Sequence, residues 1–216
     1  MICMKQIKIK KKDVIFYSQI GILAVLILVL LFNINFPGTA IGTVSASSII
    51  PTGMPAIYGE ELGIKYDFVS PSNQKLADDT ITLLGNIDRA EELDGPELQR
   101  YIYILYEMNK GISCEYCCGA RSIIFENGQP ACGCAHSYAM RGLTKYLIKY
   151  HGDEFTDEQI LTEVGKWKVL FFPGILEGKA DVMKSQGIPT DYINLTTNKY
   201  RGIEQGKVSG DMIGDC

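Results

Sequence analysis

A chain of 216 residues with 46% hydrophobic and 21% charged side chains has room for one ordinary domain plus an extra segment, and it is too apolar to be a disordered tail. Acidic residues outnumber basic ones, 25 to 21, and five lysines (Lys5, Lys8, Lys10, Lys11, Lys12) crowd the N-terminal end. The remainder is therefore distinctly acidic, which repels phosphate backbones and argues against nucleic acid as a partner.

The N-terminal region sets the expected location. From Val14 to Phe36 no residue is charged. A helix rising about 1.5 Å per residue over that length crosses a hydrocarbon core of about 30 Å. The expectation is a basic cytoplasmic tail over 1–13 and a single transmembrane anchor over 14–36, which makes the lipid bilayer a partner. Lysines before the helix hold the N-terminus in the cytoplasm, so the rest of the chain lies outside, at the cell membrane. The competing reading is a cleaved signal peptide, because the run Ile20 to Phe32 has the length of a signal-peptide apolar region and Val44-Ser45-Ala46 suits cleavage. Segment length favours the anchor, and both readings leave the remainder on the same side. Residues 37–56, PGTAIGTVSASSIIPTGMPA, are uncharged and rich in Gly, Pro and small side chains, as expected of a flexible linker.

A globular extracytoplasmic domain is expected over 57–189. Residues 72–86 open on a capping Ser and place Leu76, Ile81 and Leu84 at helical spacing. The run GPELQRYIYILYEMNKG has Pro96 at a helix start and Gly111 at its end, with Leu98, Ile102 and Leu105 near a period of 3.6. Ser122 to Phe125 favours a strand and Asn127-Gly128 a tight turn, which together predict a short β-hairpin. HSYAMRGLTKYLIKYHG reads as a helix closed by Gly152, and Thr156 to Gln159 as the capping box of another. Pro173-Gly174 breaks the chain before a short helix over Leu176 to Ser185. From Thr190 to the end, 190–216, the expectation is a polar tail. The fold class is thus mainly α, with one small hairpin.

That hairpin joins two cysteine clusters. Cys114, Cys117, Cys118, Cys132, Cys134 and His136 form the pattern C-x2-C-C-x13-C-x-C-x-H, while Cys3 and Cys216 stand apart. C-x2-C wraps backbone around an ion so that both thiolates face one centre. A hairpin at Asn127-Gly128 folds the second pair back onto the first. The arrangement resembles a zinc ribbon or knuckle, apart from its C-x-C second pair and the extra thiol of Cys118. One ion, Zn²⁺ or the sulfur-seeking Cu(I), is the expected cofactor. Cys114, Cys117, Cys132 and Cys134 are the leading ligands, with Cys118 and His136 next.

Two other chemistries compete. Outside the cytoplasm thiols oxidise, and the five clustered cysteines plus Cys216 make an even set for disulfides, in a stapled surface module that binds another protein. Catalysis is the third: a C-x2-C dithiol exchanging disulfides, or a Cys–His hydrolase using His136 or His151. The dithiol lacks the strand and βαβ context of thioredoxin-like motifs, and His151 at a helix end has an ordinary dipole explanation. The sequence therefore favours a binding protein over an enzyme.

The stretch ACGCAHSYAMRGLTKYLIKYHGDEFTDEQILTEV, with the earlier CEYCCG, resembles the membrane-tethered prokaryotic proteins of the PCYCGC-motif type. The likeness covers Cys114 to Trp167 and lies in a Cys-rich cluster followed by a second pair that opens a helix. The PCYCGC string itself is missing and the cluster order differs. What the resemblance implies is a metal-binding, copper-related role, carried over onto Cys114, Cys117, Cys132 and Cys134.

Overall fold

A computed structural model describes residues 49–206. The predicted tail over 1–13, the anchor over 14–36, linker residues 37–48, Cys3, and residues 207–216 with Cys216 lie outside the described residues. Among the described residues, no helix is long and apolar enough to cross a membrane.

Helices provide nearly all the regular structure, as the sequence predicts: α1 (Tyr58–Leu62), α2 (Gln74–Ala90), α3 (Gly95–Ile102), α4 (Ala135–His151), α5 (Asp157–Phe171), α6 (Pro173–Ser185) and α7 (Tyr192–Thr196). In α2 the cap is Asn73 rather than Ser72, its Oδ1 accepting from the Leu76 amide at 3.3 Å. Ala77, Ile81 and Leu84 then form the buried stripe that lies along α4. Gly142 lets the two backbones meet. A Cβ on it would stand 1.9 Å from the Leu84 carbonyl oxygen and 2.9 Å from the Asp88 amide nitrogen. α5 starts with the predicted capping box, Thr156 and Gln159 exchanging bonds of 2.8 and 3.3 Å. It is buried on most of its circumference, so Ile160, Leu161, Val164, Trp167, Val169 and Phe171 form the centre of the core.

Trp167 ties the start of the domain to that centre. Its indole donates to the Tyr58 hydroxyl at 2.9 Å, and that hydroxyl donates to Glu163 at 2.7 Å. The end of the predicted linker follows the same path: Ile49, Pro51 and Pro55 are buried, so packing against the domain begins before Ile57.

Two predicted elements come out differently. The helix expected from Gly95 to Gly111 is α-helical only to Ile102, then widens into a π turn over Tyr103–Glu107 and tightens into a 3-10 turn over Met108–Lys110. The returning chain takes over its last carbonyls, with the Ile112 amide donating to the Leu105 oxygen at 3.0 Å and the Gly111 amide to the Met108 oxygen at 2.8 Å. Gly111, at φ 82° and ψ 174°, sits where only glycine is comfortable; a Cβ would be 2.8 Å from the Tyr106 oxygen. The predicted hairpin forms its turn, in which the Gly128 amide donates to the Phe125 oxygen and the Phe125 amide to the Gln129 oxygen. Only the isolated bridge Ile124↔Pro130 follows, closed by the Ala131 amide donating to the Ile123 oxygen at 3.1 Å; the ladder goes no further because the Ile123 amide donates to the Ile112 oxygen instead.

The predicted polar tail from Thr190 holds a seventh helix. Asp191 caps α7, accepting from the Asn194 amide at 3.0 Å, and Leu195 and Thr196 are fully buried against α5. Gly165 of α5 makes room, because a Cβ there would come within 2.8 Å of Thr196 Oγ1.

Candidate metal centre

The π turn and its reversal deliver the first cysteines. After Gly111 the chain runs extended, bridging Ile112 to Thr197 and accepting from the Ile123 amide at 3.0 Å. Cys114 is consequently fully buried. Glu115 turns the backbone at φ 58°, which places Cys117 and Cys118 in a tight loop closed by Gly119 at φ 66°. The hairpin turn then brings back Cys132 and Cys134. Cys134 is the N-cap of α4, where its sulfur accepts from the Ser137 amide at 3.4 Å. A thiolate is well placed there, against the positive end of the helix dipole.

The Sγ atoms of Cys114, Cys117, Cys132 and Cys134 all lie within 4.8 Å of one another. Cys114 and Cys134 are 3.2 Å apart, and Cys132 and Cys134 3.6 Å. Four sulfurs about 2.3 Å from one tetrahedral ion stand roughly 3.8 Å apart, close to this spacing. A disulfide needs about 2.05 Å; none of the five described cysteines is disulfide-bonded, and four of them bring their sulfurs together rather than pairing off. The donor set therefore fits a thiophilic ion, with Cys114 and Cys132 buried and Cys117 and Cys134 half-exposed.

The surroundings favour charge on two of the sulfurs, Cys132 and Cys134. Hydrogen bonding by Cys114 holds the Cys134 and Cys132 thiols well below the usual thiol range, whereas Cys114 itself is pushed up by its contacts with Cys117, Cys132 and Cys134. Ser137 Oγ lies 2.9 Å from Cys114 Sγ and 3.3 Å from Cys134 Sγ. His136 also hydrogen-bonds Cys134, but its ring is fully buried, 4.9 Å from Phe171 and 5.0 Å from Phe172. It is outside the four-sulfur set. Cys118 is exposed and also outside that set. His151 is the last residue of α4, about 25 Å of helix away from Cys134 at 1.5 Å per residue, too far for a Cys–His pair.

Several supporting groups carried no metal-site signal in the sequence. Glu115, within the ligand loop, is buried against two lysines that are themselves fully buried: Lys168 and Lys179 each approach Oε2 at 3.4 Å. The Gly202 amide donates to its Oε1 at 3.0 Å. Burial lowers Lys168 to about 8, Glu115 pulling in the opposite direction. Asn198 donates to the Lys110 and Arg121 carbonyls and accepts from Ser113, and Arg201 donates to those of Gly119 and Ala120. On the other side Arg141, fully buried and paired with Asp88 at 2.9 Å, donates to the Cys132 carbonyl at 2.8 Å. Only Ser137 left a trace, three residues after Cys134 where an N-cap finds its amide partner.

No family model, no curated protein and no solved structure matches this chain.

Proposed function

We propose that this chain is a membrane-anchored, extracytoplasmic metal-binding protein in which Cys114, Cys117, Cys132 and Cys134 hold one Zn²⁺ or Cu(I) ion. The observation that carries the reading is the convergence of four sulfurs within 4.8 Å from two short cysteine pairs on either side of a turn. The uncharged run from Val14 to Phe36 behind a basic tail supports the anchor. The half-exposed Cys117 and Cys134 support a role in acquiring and passing on metal rather than a closed structural site. The resemblance to the PCYCGC-motif proteins points toward copper.

Cobalt titration of the full-length chain, reduced and held under argon in mild detergent, tests the donor set. Co²⁺ should produce thiolate-to-metal charge transfer and the visible bands of a tetrahedral site, saturating at one equivalent and absent from the double variant Cys114→Ser/Cys132→Ser. A spectrum without charge transfer, from protein whose thiols are fully titratable, would overturn the reading.

A further inference from the structure

Two residues separate Cys114 from Cys117, and both are tied to distant parts of the domain. The Tyr116 hydroxyl donates to Glu204 Oε1 at 3.1 Å, and its ring meets Phe172 edge-on with centroids 5.3 Å apart. Glu115 is tied more firmly. Its side chain is only 4% exposed; Lys168 and Lys179 each bring Nζ to 3.4 Å from Oε2, and the Gly202 amide donates to Oε1 at 3.0 Å. Neither lysine side chain reaches solvent. Lys168 also donates to the Thr196 carbonyl at 2.7 Å, and Lys179 stands 3.9 Å from Glu204 Oε2. One carboxylate thus pins the ligand loop to α5, to α6 and to the stretch after α7. The backbone needs that pin. At φ 58° an L side chain crowds its own backbone, and glycine is the residue that adopts such a conformation freely. A glutamate stays there only where its contacts outweigh the strain. Without its carboxylate, two buried ammonium groups would lose the counter-ion they share.

We propose that Glu115 is the positioning residue of the metal centre: its buried ion pairs with Lys168 and Lys179 hold the turn over 114–117 in place, so that two of the four sulfurs are set before an ion binds. The inference rests on the metal reading of the four-cysteine set and adds to it the source of its preorganisation. Glu115 is not a ligand. It lies outside the four-sulfur set, and its oxygens are taken by the two lysines and Gly202. Binding an ion to a loop already in place avoids the entropy cost of ordering that loop at the moment of binding. Affinity for the ion therefore depends on a side chain that never touches it.

The test separates positioning from folding. The deciding variant is Glu115→Gly/Lys168→Met/Lys179→Met. It eases the backbone at 115 and removes the three buried charges together, a replacement that leaves no ammonium without its counter-ion and is commonly neutral for stability. Wild type and variant, full-length, reduced and in mild detergent, are compared in three ways: circular dichroism for the fold, Zn²⁺ affinity against a chromogenic chelator, and the visible spectrum of the Co²⁺ form at saturation. The proposal expects the variant to keep wild-type helix content while it binds Zn²⁺ about tenfold or more weakly, about 1.4 kcal/mol, and shows displaced Co²⁺ bands. A loss of stability alone would not move the bands of a saturated site. Wild-type affinity with an unchanged Co²⁺ spectrum overturns the positioning role and leaves the metal site standing. A variant that fails to fold also overturns it, by assigning the ion cluster to the fold at large. Wild-type protein that takes up neither Zn²⁺ nor Co²⁺ removes the metal reading and the positioning role together.

Discussion

At the scale of single residues, the two histidines have opposite environments. His136 is fully buried between Phe171 and Phe172 beside Cys134, whose thiol it helps to lower, and it lies outside the four-sulfur set. His151 has a carboxylate at each ring nitrogen, Glu154 at Nδ1 and Glu61 at Nε2, both at 2.8 Å. Only the doubly protonated ring can donate to both. Burial opposes that charge, but the hydrogen bonds to Glu154 and Glu61 outweigh it and raise the pKa above the usual value. A folded-state pKa above the unfolded one gives stability that is complete below about pH 6.5 and is lost as pH rises through the higher folded value. Thermal unfolding from pH 6 to 9 should therefore show wild type losing an advantage over His151→Gln across that window. The effect should be small, because Glu61 and Glu154 are about half-exposed. Parallel curves for the two proteins would mean that His151 is neutral throughout.

Among the elements, the α2–α4 crossing determines where the second pair of ligands sits, because α4 begins at Cys134. Replacing Gly142 with Ala puts a methyl group into the Leu84 carbonyl, and backbone cannot yield as a flexible side chain would. The expected cost is about 1–3 kcal/mol in chemical denaturation, with weakened metal retention as α4 shifts. Wild-type stability in Gly142→Ala would show that the helices have slack at this point. The elements read well from sequence wherever local signals and burial agree. The capping box at Thr156 and the apolar stripe of α2 are of this kind. They read badly where distant chain decides. The run YILYEMNK after α3 has helical periodicity, yet its final turns open because Ile112 comes back to bond Leu105, a contact that no local pattern encodes. The predicted hairpin stops at one bridge for the same kind of reason, because the Ile123 amide bonds Ile112 instead of the returning strand.

On the scale of the whole domain, the cysteine site is braced by residues far from it in the sequence. Spacing pointed first to Cys114, Cys117, Cys132 and Cys134 and next to Cys118 and His136; of these six, the structure groups the first four. The groups that fix the loop were not legible: Glu115 is an ordinary acidic residue until Lys168 and Lys179, from α5 and α6, meet it in the interior. Asn198 and Arg201 lie in a stretch whose polar composition suggested a tail. Their polarity instead satisfies loop carbonyls at Lys110, Gly119, Ala120 and Arg121 that would otherwise go unpaired. A composition rich in Gly and polar side chains describes a solvated tail and a clamp on irregular backbone equally well. Only the three-dimensional neighbours distinguish them.

The most direct test of the central claim is metal content. Full-length protein purified under argon in mild detergent, without chelator, should contain about one Zn or Cu per chain by elemental mass spectrometry, as four thiolates around one tetrahedral or lower-coordinate ion require. That metal should be lost from Cys114→Ser/Cys132→Ser, and the element found would decide between zinc and copper. Protein with no bound metal, no free thiols among the clustered cysteines, and no uptake of Zn²⁺ or Cu(I) after reduction would contradict the account and leave a disulfide-bonded module in its place.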